Sequence, residues 1–148
     1  MSSKSSKAPQ LLLENQVCFP LYSAANAVVR AYRPFLEKLD ITYLQYMVLM
    51  VLWEQPGLTV KEIGARLRLD SGTLTPLLKR LEGKELVERR RSAEDERARV
   101  ITLTRAGRAL RKKAQDIPSQ LSCSIGLPAG RARELRSLCN ELLASLEA

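Results

Sequence analysis

Residues 70–97 read DSGTLTPLLKRLEGKELVERRRSAEDER, and the order of patterns within them decides the fold. Leu69-Asp70-Ser71-Gly72 is a turn signal, and Thr73 to Leu81 follows at helical spacing with Leu74, Leu77, Leu78 and Leu81 inward. Pro76 is tolerable in that helix only near its first turn, where a missing N–H matters least. Beyond Gly83 the period changes. Leu86–Arg90 and Ala98–Leu103 read as two strands, joined by the polar, charged turn 92–97.

Working outward, Thr59 is an N-cap with Glu62 as its capping-box partner, and it opens a short helix over Val60–Leu67. Thr42 and Gln45 repeat the device for a helix running to about Glu54, which Gln55-Pro56-Gly57 stops. From Leu11 to Leu39 apolar residues recur as one long amphipathic helix, bent near Pro20 and kinked or ended at Pro34. Downstream, Thr104 caps a helix that Pro118 interrupts, and Gly126-Leu127-Pro128 separates a last helix over about 129–146. The predicted architecture is mainly α with one small β-hairpin: a winged helix-turn-helix over 41–107 between outer helices at 11–40 and 108–148. Residues 1–10 form a frayed, disordered tail.

Composition narrows the function. Twenty-four basic residues against 16 acidic give a net charge of +8, dense between Lys79 and Arg111, which suits a polyanion. There is no histidine, so Ser-His-Asp and Cys-His nucleophiles cannot be built within this chain, and no catalytic site is expected. Three widely spaced cysteines, Cys18, Cys123 and Cys139, form neither a CxxC zinc motif nor a secreted disulfide framework. No metal or cofactor is expected. No apolar run is long enough to cross a bilayer and MSSKSSKAPQ (1–10) lacks a signal-peptide apolar core, so a cytoplasmic protein without a membrane partner is the expectation.

A recognition helix needs short polar residues in its first turn, so that the backbone can approach base edges, and cations further along for phosphate. Ser71, Thr73 and Thr75 supply the first set, and Lys79 and Arg80 the second. Arg97 at the hairpin tip suits a narrow minor groove. Asp95, two residues away, is placed to orient its guanidinium, and Arg89 stands behind. The plainer alternative, capping residues and a solvated hairpin, explains either element alone. Their adjacency, with excess positive charge, favours double-stranded DNA.

Residues 58–107 resemble the DNA-binding lobe of the MarR family of regulators. The wing pattern Asp-x-Arg followed by Leu-Thr-x-x-Gly stands as Asp95, Arg97, Leu103, Thr104 and Gly107. That resemblance implies a homodimer with interlocking N- and C-terminal helices on a pseudo-palindromic operator. LLENQVCFPLYSA (12–24) and ITYLQYMVLMVLWE (41–54) are similar to the organic hydroperoxide-sensing, OhrR-type branch, with Leu44 where the branch often has proline. The branch implies that Cys18 is oxidised by the hydroperoxide, that Tyr32 and Tyr43 hydrogen-bond its sulfur, and that Cys123 of the other subunit captures the sulfenate. The outcome is a repressor that leaves DNA when oxidised.

Residue chemistry is compatible with that role. Thiolate is the nucleophile toward an O–O bond, phenols can donate to it, and Val17, Phe19, Leu21, Met47 and Met50 would favour a lipophilic oxidant. A lone cysteine on an apolar helix face is otherwise an inert core residue, and Cys139, on the stripe of the last helix, is read that way. Two alternatives stand beside the sensor. One is a thiol peroxidase, distinguished by sustained turnover. The other is a regulator released by a phenolic ligand, distinguished by indifference to Cys18→Ser.

Overall fold

The computed structural model describes residues 8–147. Most of the tail predicted for 1–10 lies outside them. Pro9–Leu11 and Leu13–Asn15 form two short 3-10 turns, held by Gln16 and Asn15 side-chain amides that donate to the carbonyls of Gln10, Leu12 and Pro9. The single long helix expected from Leu11 therefore starts later. α1 spans Cys18–Glu37. Pro20 consequently falls in its first turn, where no hydrogen bond is lost, and Pro34 is carried within the last turns without ending the helix.

Ile41 and the Thr42–Gln45 capping box, present in both directions, launch α2 (Tyr43–Glu54). A two-residue strand, β1 (Leu58–Thr59), leads into α3 (Val60–Leu67), whose capping box is Thr59 with Glu62. α4 covers Ser71–Gly83 and begins two residues earlier than its apolar pattern, because the Asp70 carboxylate accepts from the Thr73 N–H at 2.7 Å. Pro76 sits in the second turn, so the exposed Gly72 carbonyl loses its i+4 donor. The wing strands are β2 (Val87–Arg91) and β3 (Arg99–Leu103), paired antiparallel from Val87 with Leu103 to Arg91 with Arg99. β1 adds to the other edge of β3, giving the order β1-β3-β2; two residues are too short to read as a strand from pattern.

The core collects where these pieces meet. Val48, Leu49 and Leu52 of α2, Ile63 of α3, Leu74, Leu78 and Leu81 of α4, and Val87 and Ile101 of the sheet are at most 1% exposed. Gln45, also buried, is satisfied by the Thr42 N–H and by Lys84 Nζ, which donates to the Asp40 carbonyl as well. α5 (Arg105–Ala114) starts from Thr104, whose hydroxyl donates to the Glu85 carbonyl and accepts from the Gly107 N–H.

The chain divides at Ala114 into two compact units. The second holds α6 (Ile117–Ile125), with Pro118 at its start and Gly126 in the left-handed conformation at its end, and α7 (Ala129–Glu147). Cys123 is on α6, because Pro118, beyond the expected break in the helix, stands in the first turn of a new one.

Gly107 is the tightest position. A Cβ there would lie 2.1 Å from the Leu86 carbonyl oxygen and 3.2 Å from Leu103 Cδ2. Gly107→Ala is expected to destabilise the fold by about 3 kcal/mol, the upper range for overpacking, because the obstacle is backbone. A chemical-denaturation midpoint equal to wild type would contradict that close approach.

Candidate nucleic-acid interface and thiol site

The first-turn residues of α4 are presented outward because its four leucines point inward. Ser71, Thr73, Lys79 and Arg80 are exposed and Thr75 is half-buried, while Leu74, Leu77, Leu78 and Leu81 are buried. The Asp70 cap is itself tuned: hydrogen bonds from Thr73 hold its carboxyl below the ordinary range, so it stays charged and keeps the turn closed.

Between α3, the start of α4 and the wing lies an open cleft of 720 Å³, and it brings Ser71, Asp95 and Arg97 together. Lys61 and Arg99 line the same cleft. They escaped the sequence reading, although Arg99 belongs to the basic cluster already noted; only the fold returns α3 to the wing.

The wing tip closes on itself. Ser92 N–H donates to the Ala98 carbonyl, Ala98 N–H to the Asp95 carbonyl, and Asp95 Oδ1 accepts from the Arg97 backbone N–H at 3.0 Å. This corrects the expectation that Asp95 would grip the Arg97 guanidinium: the carboxylate shapes the turn, and the guanidinium projects exposed. Arg89 is also committed, its Nε donating to Glu82 at 2.7 Å, so this cation ties β2 to α4.

Cys18 is the first residue of α1 and is exposed, beside Val17 and Phe19, which are 77% and 46% exposed. Leu12, Leu13, Glu14 and Phe19 line a shallow hollow of 550 Å³ there. Three of the four tyrosines form a cluster elsewhere. Tyr32 and Tyr43 rings lie 5.0 Å apart, and Tyr32 lies 5.7 Å from Tyr46, which is 2% exposed. Fourteen residues of α1 separate Cys18 from Tyr32, about 21 Å of helix rise, so no tyrosine of this cluster reaches the sulfur of its own chain. The expected Tyr32 and Tyr43 hydrogen bonds to Cys18 are thus not made within one chain.

Burial, with Tyr43 and Tyr46 adding to it, pushes the Tyr32 phenol up to about 12; burial raises Tyr43 and Tyr46 as well. All three are neutral O–H donors at any physiological pH. Cys123 is exposed on α6, and Cys139 is half-buried on α7. α7 has no buried residue, and its Leu135, Leu138 and Leu142 are 51%, 55% and 39% exposed. α1 buries only Leu36.

Comparison with known proteins agrees with this layout. The MarR family model matches residues 41–98. The organic hydroperoxide resistance transcriptional regulator of Bacillus subtilis (strain 168) is 47% identical over 141 residues, covering 95% of this chain and 94% of that protein. Reduced AbfR bound to DNA superposes with a TM-score of 0.78 at 37% identity, covering 92% of this chain and 95% of that one. Disulfide-formed AbfR gives a TM-score of 0.63 at 37% identity, covering 91% and 90%.

The raised Tyr32 phenol has a measurable consequence. A group that holds its proton more tightly when folded stabilises the fold below its unfolded value near 10 and loses that contribution as pH rises toward about 12. Thermal stability should therefore fall between pH 10 and 12, and the fall should be shallower in Tyr32→Phe. Absorbance titration at 295 nm that ionises every tyrosine near pH 10 in the folded protein would refute the assignment.

Proposed function

Since the chain belongs to the MarR family of transcriptional regulators, we propose that it is a DNA-binding repressor whose hold on its operator is released when an organic hydroperoxide oxidises Cys18. The observation that carries the reading is the pairing of an outward polar face on α4, beside an arginine-tipped wing, with an exposed cysteine set in apolar surface at the start of α1. A relative named for organic hydroperoxide resistance supports it.

The working form is a homodimer. Two outer helices that expose so much leucine and valine are unsatisfied in water, and a second copy is the partner that the family resemblance implies. The dimer also supplies what one chain lacks, since a tyrosine cluster about 21 Å from its own sulfur can serve the sulfur of the other subunit. In each half-site, Ser71, Thr73 and Thr75 meet base edges. Lys79 and Arg80 add positive charge toward phosphate, Arg89 holds the wing strand to α4 through Glu82, and Arg97 enters the flanking minor groove with its turn shaped by Asp95.

Oxidation is a two-electron step. The Cys18 sulfur attacks the distal peroxide oxygen, the O–O bond breaks, and the alkoxide leaves with a proton as the alcohol, giving sulfenic acid. The Cys123 thiolate of the other subunit then attacks that sulfur and expels hydroxide, which takes a proton from solvent to leave as water, forming an intersubunit disulfide. Neutral phenols of Tyr32 and Tyr43 donate to the sulfur as charge moves onto it. Drawing the outer helices together shifts the spacing of the two recognition helices, which must match half-sites about 34–36 Å apart. AbfR offers a precedent, since at equal identity its disulfide form fits this backbone less well than its reduced, DNA-bound form.

The test uses a duplex selected from a random pool by the reduced protein. Cumene hydroperoxide should weaken wild-type binding at least tenfold and produce a disulfide-linked dimer on a non-reducing gel. Cys18→Ser should bind equally well with and without oxidant, and Cys123→Ser should fail to cross-link. Release of Cys18→Ser by hydroperoxide would sink the thiol switch. Arg97→Ala should weaken binding by about tenfold, the worth of one charged contact; an unchanged salt-dependent curve would remove the wing from the interface.

A further inference from the structure

We propose that Trp53 is the positioning residue that carries a displacement of the tyrosine cluster to the root of the wing, an inference that rests on the thiol-switch reading above. Tyr46 and Trp53 lie seven residues apart on α2, two turns along one face. Their rings meet edge-on at 6.4 Å, and Tyr46 meets Tyr32 at 5.7 Å, so aromatic contact is continuous from α1 to the far end of α2. There the indole Nε1–H donates to the Gly107 carbonyl at 2.9 Å, fifty-four residues away in sequence.

The receiving end has no slack. Gly107 is pressed against the Leu86 carbonyl so closely that a Cβ would stand 2.1 Å from it, and that same carbonyl accepts the Thr104 N–H. Leu86 and Thr104 flank the inner ends of β2 and β3. A shift of α2 relative to α5 therefore cannot be taken up by a void; it must move the wing base or break the indole bond. The hydrogen bond also gives the face a direction, because a phenyl ring in the same place would pack against Tyr46 but lack the bond to the Gly107 carbonyl.

The chain has one tryptophan, so the joint reports on itself. Full-length wild type, Trp53→Phe and Cys18→Ser are compared on the selected duplex, with and without cumene hydroperoxide, alongside indole emission. Trp53→Phe should bind within twofold of wild type when reduced, while its ratio of reduced to oxidised affinity shrinks about fivefold, the net worth of one hydrogen bond. Wild-type emission should shift on oxidation, and that of Cys18→Ser should not. An unaltered affinity ratio in Trp53→Phe, with wild type responding normally, overturns the joint and leaves the switch standing. Wild type that ignores the oxidant overturns both. Should Trp53→Phe fail to fold, wild-type emission decides alone: a shift dependent on Cys18 supports the joint, and a constant spectrum overturns it.

Discussion

The burial of Leu74, Leu77, Leu78 and Leu81 along one side of α4 is the constraint on which the lobe depends. Each side chain taken out of water stabilises by about 2 kcal/mol, and together they leave the helix no rotational freedom. That fixes which hydroxyls and cations face outward. The Asp70 cap sets where the helix begins, and the Arg89–Glu82 pair ties the wing to the same helix. Surface ion pairs contribute little stability; here the pair restricts orientation. The proposed reading head is the remainder of a packing solution.

The outer helices pose the opposite problem. α1 buries Leu36 and α7 buries nothing, although both carry apolar residues at helical spacing. Such faces are favourable only when covered. A cysteine at the edge of one, exposed and ringed by apolar side chains, occupies a surface that a second subunit would complete. On the function proposed above, sensing and assembly share the same helices, so that a change at one sulfur bears on the distance between two lobes.

Much of this was legible beforehand, residue by residue. Both capping boxes, the α4 leucine set and the hairpin follow from local rules, since each depends on neighbours within four residues or on strict alternation. Errors arose where local rules conflict. Pro20 read as a bend within a longer helix but stands in the first turn of α1, because a proline's meaning depends on where the first turn falls. Asp95 read as a guanidinium partner but takes the nearer backbone N–H, which requires less ordering of a long side chain.

By itself the sequence determined the order of the main helices and the hairpin and the buried leucine set of α4. Periodicity, caps and composition are carried by residues close along the chain. Only the tertiary structure decided the rest. It returned Lys61 and Arg99 to the cleft of Ser71 and Arg97, put β1 on the wing sheet, and joined Trp53 to Gly107. It also separated Cys18 from Tyr32 and Tyr43 by the rigid length of α1, which turns a set of residues near in function into one that a single chain cannot assemble. Contacts of that kind join residues dozens of positions apart, and no local pattern encodes the distance that packing imposes between them.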